Sequence, residues 1–254
     1  MNQEDTIKTA TSTARAIQLS VVVLAYRSNE QIREFVSEIT ADFDNAGIEN
    51  YELVLVANYD AESEVKDLTP EIVTGMAALD EKIVPVTLEK KGRMGWDARQ
   101  GMQVARGEVI ALIDGDGQMP PDDLVRLFHL MNTGALEFVK TYRIERHDGR
   151  IRLVVSRVFN LLYRLLFPSC KFRDVNSKPK LVKKTAFDRM ELNNNGWFFD
   201  GEMVLEAVRL GLSFAEIPTS FKANEWRGSF VGVDAVFEML GSMISYRLRR
   251  RLSS

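Results

Sequence analysis

The chain reads as an α/β protein with a mostly parallel central sheet flanked by helices, followed by a region of different character. Three observations lead there. Short β-branched runs alternate with segments of helical periodicity from residue 19 to residue 142, and no low-complexity linker interrupts them. The chain has 254 residues, 45% hydrophobic and 27% charged, enough to bury one sizeable core.

A polar tail to residue 18 precedes "LSVVVLAY", a run short and branched enough for a strand buried on both faces. "SNEQIREFVSEITADFDNAG" follows, with Ile32, Val36, Ile39 and Phe43 at helical spacing. The unit recurs as "YELVLVA" with a helix to about residue 79, "KIVPVTL" with "WDARQGMQVA", and "EVIALID" with "PPDDLVRLFHLM". A last strand lies in "EFVKTY". Beyond Tyr142 the pattern breaks: "RIERHDGR" reads as a charged loop, and "IRLVVSRVFNLLYRLLF" as an apolar-striped helix that Pro168 stops. The remainder is built onto the first half and closes with a helix from about Val233 to Leu252.

Composition narrows the function classes. A net charge of −3 gives no overall footprint for nucleic acid, although "RLRRRL" near the end is locally basic. One cysteine, Cys170, excludes an internal disulfide framework and fits a reducing cytoplasm. The first residues lack an apolar leader, and no stretch approaches the roughly 18 apolar residues of a membrane span. The expectation is a soluble or peripheral protein.

In "ALIDGDGQMPPDDL" an apolar strand ends at Ile113, and Asp114, Asp116 and Gln118 follow at once. Two acids one residue apart, in a turn relaxed by Gly115 and Gly117, can aim their oxygens at one point. In parallel sheets ligands sit beyond the carboxyl ends of strands, where Asp114 falls. Such oxygens suit a hard divalent cation shared with a diphosphate, because magnesium takes only one or two protein carboxylates and manganese has similar preferences. A calcium loop of the EF-hand kind fails, since counting from Asp114 puts Met119 where Gly is needed and Val125 where Glu is needed. The plainer alternative is a solvated turn whose acids, with Asp122 and Asp123, complement the start of the next helix.

With "SVVVLAYRSNE", "ARQGMQVARGEVIALIDGDGQMPP", "DVNSKPKLVKKTAF", "WFFDGEMVLEA" and "WRGSF" in this order, the chain resembles the family 2 glycosyltransferases, particularly the polyprenyl-phosphate sugar synthases. The resemblance runs from about Leu19 to Val231 and implies a GT-A fold. It implies a nucleotide-sugar half over 19–142 and an acceptor half over 143–231, with 232–254 left as a basic amphipathic helix. It also implies Mg²⁺ or Mn²⁺ held on a nucleotide diphosphate by Asp114, Asp116 and Gln118.

Other positions carry over singly. Ala25, Tyr26 and Glu30 match nucleotide contacts of the first loop, with Leu24 where the family has Pro. After the second strand the family has an acidic pair that reads the base; here Asn58 and Asp60 are the substitutes. Lys91, Arg93 and Asp97 match the segment beside the diphosphate, and the resemblance implies that Asp114 also contacts the nucleotide sugar. "DVNSK" places Asp174 and Asn176 near the sugar, with Lys178 where Gly is common. Asp200 and Glu202 follow an aromatic run, and Arg227 with Ser229 match a basic segment in shortened form. If the reaction uses a general base, Asp200 or Asp174 is the candidate, since His129 and His147 read as structural or solvated.

The function implied is a metal-dependent inverting glycosyltransferase that moves a hexose from a nucleotide-diphosphate sugar to a polyprenyl phosphate. It would be cytoplasmic, with peripheral contact at the inner membrane face through Arg247, Arg249, Arg250 and Arg251. Two alternatives stand beside it. The acceptor could be a sugar hydroxyl of a surface polysaccharide or lipid-linked glycan; or, given the departures at Leu24, Asn58 and Lys178, the chain could be an inactive nucleotide-sugar binding protein.

Overall fold

A computed structural model describes residues 16–146, 161–222 and 233–252. Its strands are β1 Leu19–Leu24, β2 Tyr51–Val56, β3 Ile83–Val86, β4 Val109–Asp114, β5 Phe138–Arg146, β6 Lys180–Lys183 and β7 Phe214–Phe221. The helices are α1 Gln31–Asn45, α2 Thr69–Ala77, α3 Met94–Val104 and α4 Asp122–Thr133, then α5 over 161–166, α6 Lys184–Phe187, α7 Phe199–Arg209 and α8 Val233–Leu252.

One sheet orders the seven strands β3-β2-β1-β4-β6-β5-β7. Strands β1 to β4 pair in parallel, as the strand-helix alternation requires. Strand β6 runs antiparallel between β4 and β5, so the second half of the chain enters the middle of the sheet.

Side chains alternate across each strand and divide the core in two. Val22, Val54, Ile110 and Leu112 face Ala98, Met102, Tyr163, Phe198, Met203 and Met243 of α3, α5, α7, α8 and the turn before α7. Val21, Leu53, Leu55, Ala111 and Ile113 face Ile32, Ile39, Val73, Leu124 and Leu127 of α1, α2 and α4. The sheet is therefore covered on both sides, which is why its strands read as continuous apolar runs.

One expectation is corrected. The charged "RIER" is strand, because β5 continues to Arg146 and pairs with β7 from Phe138↔Phe214 to Arg146↔Phe221. Backbone pairing with a neighbour, invisible in a charged sequence, decides the matter. The rest of that expected loop and the expected helix before residue 161 lie outside the described residues, as do Arg227 and Ser229.

Helix α3 approaches the sheet closely at Gly101, where a Cβ would run into Val22 and Val56. Gly75 in α2 has nothing within 4 Å of its would-be Cβ. Alanine gains about 1 kcal/mol over glycine in a helix, but overpacking costs about 1–3 kcal/mol. Gly101→Ala should therefore lower the urea midpoint, and Gly75→Ala should raise it or leave it unchanged.

Candidate active site

The antiparallel register of β4 and β6 sets the centre of the site. Leu112 is level with Lys180, so two residues further on, in opposite senses, Asp114 comes level with Lys178. Lys178 Nζ lies 3.0 Å from Asp114 Oδ1 and 3.2 Å from its Oδ2. The same nitrogen lies 3.0 Å from Asp200 Oδ2, and Lys180 donates to Asp200 Oδ1. Asp200 sits in the first turn of α7, which lays that turn over the buried lysines.

Electrostatics follow from this packing. Burial pushes the Asp200 carboxyl up, but the Lys178 and Lys180 ammoniums more than offset it and hold it below the usual carboxylate value. Burial also opposes the charge on Lys178, yet Asp114 and Asp200 raise it above the ordinary lysine range. Lys180, buried and close to Lys140 and Lys178, is brought down to about 7 although Asp200 pulls the other way. Lys178 is thus the firm cation of the group.

Asp174, the other candidate base, is gripped by Arg143 from β5, with Nε 2.7 Å from Oδ2 and Nη2 3.0 Å from Oδ1. Next to it, the Oδ1 of Asn176 is buried without a hydrogen-bond partner among the described residues, as is Trp197 Nε1. A buried polar atom left unpaired is costly and marks a place where a ligand can bind.

On the side where the sequence resemblance places the nucleotide, Asn58 and Asp97 are buried and joined: Asn58 Nδ2 donates to Asp97 Oδ1 at 2.9 Å, and Asn58 Oδ1 accepts from Leu88 N at 2.8 Å. Lys90 donates to Asp97 and lies 4.1 Å from the centre of the Tyr26 ring. Burial, the largest influence, raises the Asp97 carboxyl although Lys90 and Asn58 pull it down. Asn58 and Asp97 therefore brace the loops, while Tyr26 and Lys90 present the surface.

Asp60 is exposed and lines a cavity of about 440 Å³ with Arg27, Tyr59, Ser63, Lys66 and Asp67. Ala25 is buried, its N–H donating to Val56 O at 2.9 Å. Glu30 is exposed and pairs with Arg33 at the start of α1. Lys91 and Arg93 are exposed, and Arg93 Nε lies 3.5 Å from Glu238 of α8. Glu202 faces away from this surface: its Oε2 accepts from Asn193 N at 2.9 Å and Asn194 N at 2.7 Å, which pins the turn before α7.

Gly117 takes a φ of +69°, a left-handed turn that carries the chain from Asp116 to Gln118. Gln118 N donates to Asp116 Oδ1 at 3.2 Å, and Gln118 Nε2 donates to Lys222 O at 2.9 Å. The Asp116 carboxylate and the Gln118 carbonyl oxygen are the atoms of this turn whose chemistry suits a cation. Among the described residues, no three or more His, Cys, Asp or Glu converge as a metal site. So sparse a set fits a hard cation whose shell a diphosphate completes.

Residues 20–190 match the sequence profile described as glycosyl transferase family 2. The chain belongs to that family. Glycosyltransferase AglD of Haloferax volcanii is 28% identical to this family 2 chain over 239 residues, 91% of this chain and 37% of that protein. The undecaprenyl-phosphate 4-deoxy-4-formamido-L-arabinose transferase of Aeromonas hydrophila is 27% identical over 143 residues, 56% of this chain and 42% of that protein. The chain thus spans less than half the length of these curated relatives.

Glucosyl-3-phosphoglycerate synthase from Mycobacterium tuberculosis, solved with Mn²⁺, UDP-glucose and phosphoglyceric acid, superimposes with a TM-score of 0.69 at 16% identity, covering 91% of this chain and 79% of that one. The fold of the family 2 chain is GT-A, as its sequence implied.

The sequence pointed to Asp114 and Asp200 but missed that one lysine joins them. The signal was the Lys at 178 where the family favours Gly. Arg143 was missed because it lay in the expected loop. Asp200→Asn would leave the buried Lys178 ammonium short of a carboxylate and take away the carboxylate acceptor of Lys180, and should cost about 3–5 kcal/mol at pH 7, read from urea melts. Asp200 titrates below its ordinary 3.8 in the folded state, so its contribution is present above that value and is lost as pH falls through the folded value. The gap between wild type and variant should narrow below pH 3.8.

Proposed function

We propose that the chain is a metal-dependent inverting glycosyltransferase that transfers a hexose from a nucleotide-diphosphate sugar to a polyprenyl phosphate at the cytoplasmic face of a membrane. One observation carries the choice of acceptor: both candidate bases are already neutralised. Asp200 has one oxygen on Lys178 and the other on Lys180, and Asp174 has both on Arg143. A hydroxyl acceptor needs its proton taken during attack, and a carboxylate paired with Lys178 and Lys180, or with both oxygens on one guanidinium, is a poor acceptor of it. A phosphate monoester, with its second ionisation near pH 6, arrives largely as a dianion.

The protein's work is then to position reactants and shield charge. Tyr26, Lys90 and Asp60 line the nucleotide side, and the unpaired Oδ1 of Asn176 supports a contact with a sugar hydroxyl. Asp116 and Gln118 would hold Mg²⁺ or Mn²⁺. When bound, that cation supplies a Lewis acid that stabilises charge on the departing diphosphate. The Mn²⁺ and UDP-glucose of the M. tuberculosis synthase and the undecaprenyl phosphate named for the A. hydrophila relative support this reading.

Membrane contact is supported more by apolar residues than by the arginines. Phe237, Ile244 and Leu248 stand exposed along one side of α8, and Leu161 and Leu165 are exposed on α5. Arg249 is largely exposed and Arg247 partly so, but Arg250 turns inward to Glu191 and Glu206. Side-chain placement of Arg251 lies outside the described residues. No described helix is long and apolar enough to cross a membrane.

Two measurements test the reading. Transfer from UDP- and GDP-hexoses is assayed with a polyprenyl phosphate and with glycan acceptors; product only from hydroxyl acceptors overturns the phosphate choice, and no turnover with any acceptor favours a silent binding protein. Asp116→Ala should lower transfer at least about 100-fold, since a Lewis-acid cation is worth several kcal/mol. Separately, Phe237→Glu with Leu248→Glu should abolish co-sedimentation with vesicles containing anionic lipid.

A further inference from the structure

The proposed transfer makes no use of a cavity of about 580 Å³ between the turn after α5, the second half of α7 and the end of α8. Phe167, Leu205 and Val208 give it apolar walls, and Arg209, Arg247 and Arg250 line it with charge. Glu206 takes Arg209 Nη2 and Arg250 Nη2 at 2.6 Å each, and Glu191 takes Arg250 Nη1 at 2.9 Å. Among the described residues Arg247 forms no ion pair or hydrogen bond. Three guanidiniums thus face two carboxylates, and the surplus positive charge sits on Arg247.

This cavity stands apart from the candidate active site. Arg209 follows Asp200 by nine residues on α7, about 14 Å along the helix at 1.5 Å per residue. Helix α8 runs the same way: Glu238 near its start meets the turn before α7, and Arg250 near its end meets Glu206. Beside the cavity the surface is apolar. Ile244 and Leu248, one turn before and one residue after Arg247, are exposed on α8, and Leu161 and Leu165 are exposed on α5. A free phosphate would gain nothing from apolar walls, whereas a lipid brings an anionic phosphate for the arginine and a chain for the walls.

We propose that the cavity holds the headgroup of an anionic phospholipid, with its phosphate on Arg247 and the start of its chains against Phe167 and Val208. The inference rests on the membrane contact proposed above and adds to it a lipid site distinct from that of the acceptor. With Phe237, Ile244 and Leu248 lying on the bilayer surface, a lipid held at the far end of α8 fixes the helix at two points. The angle at which the chain meets the bilayer is then set, and with it the direction in which the active site faces.

Calorimetric titration with short-chain lipids below their micellar concentration tests the site apart from vesicles and from turnover. Dihexanoyl phosphatidylglycerol should bind the wild-type chain at least about tenfold more tightly than dihexanoyl phosphatidylcholine or glycerol phosphate. Arg247→Gln should weaken that binding at least about tenfold, as should Val208→Trp, which fills the cavity while adding an apolar side chain. Arg249→Gln, an equal loss of charge on the same helix but outside the cavity, should leave it unchanged. Equal binding of the choline lipid or of glycerol phosphate overturns the proposal, as does equal weakening by Arg247→Gln and Arg249→Gln. Should Val208→Trp misfold, the two arginine variants still decide. Wild type that co-sediments with anionic vesicles but takes up no short-chain lipid overturns the lipid site alone; absence of both overturns the membrane contact with it.

Discussion

The pairing of β4 with β6 is the constraint on which the rest of this site depends. Four antiparallel residue pairs, from Val109↔Lys183 to Leu112↔Lys180, fix where the two chain halves meet. Because β6 runs opposite to β4, its start lies at the end where β4 delivers Asp114. A shift of one residue in this register would send Lys178 and Lys180 to the other face of the sheet and separate them from Asp114 and Asp200. The salt bridges of the centre are thus consequences of backbone register before they are choices of side chain.

Burying this much charge is expensive. Lys140, Lys178 and Lys180 are all nearly inaccessible, as are Asp174 and Asp200. Ion pairs in such surroundings seldom add net stability over an apolar packing of the same volume, because desolvation offsets their attraction. What they do supply is orientation. Each carboxylate has its oxygens assigned to particular nitrogens, and Lys140 also ties Asp174 O to Thr141 O and Glu216 across β5 and β7. A centre organised this way resists rearrangement when a charged ligand enters, and that pre-organisation suits the transfer proposed above.

Under the proposed reading, the two halves divide the labour along the sheet. Beyond the ends of β1 to β4, loops braced by the Asn58–Asp97 pair would face the nucleotide. Arg143 of β5, with Asp174 and Asn176 ahead of β6, would face the sugar and its acceptor. Helix α8 joins both regions by reaching back to the turn before α7, where Glu238 accepts from Trp197 N at 2.9 Å and lies near Arg93. The helix that exposes apolar residues to a surface is therefore also packed against the loop that leads to Asp200.

The sequence by itself determined the strand-helix alternation through residue 142, the buried strands and the acidic turn after β4, because each is local. Periodicity, β-branching and closely spaced acids act over a few residues and leave their mark in the order of letters. It also exposed Lys178 as an oddity without giving its partner. Only the tertiary structure decided that β6 inserts antiparallel beside β4, that Arg143 belongs to a strand, that Glu202 pins a turn and Arg250 faces inward. Those outcomes depend on contacts between residues far apart in the chain, such as 114 with 178 or 143 with 174, and a linear pattern carries no term for distance in space.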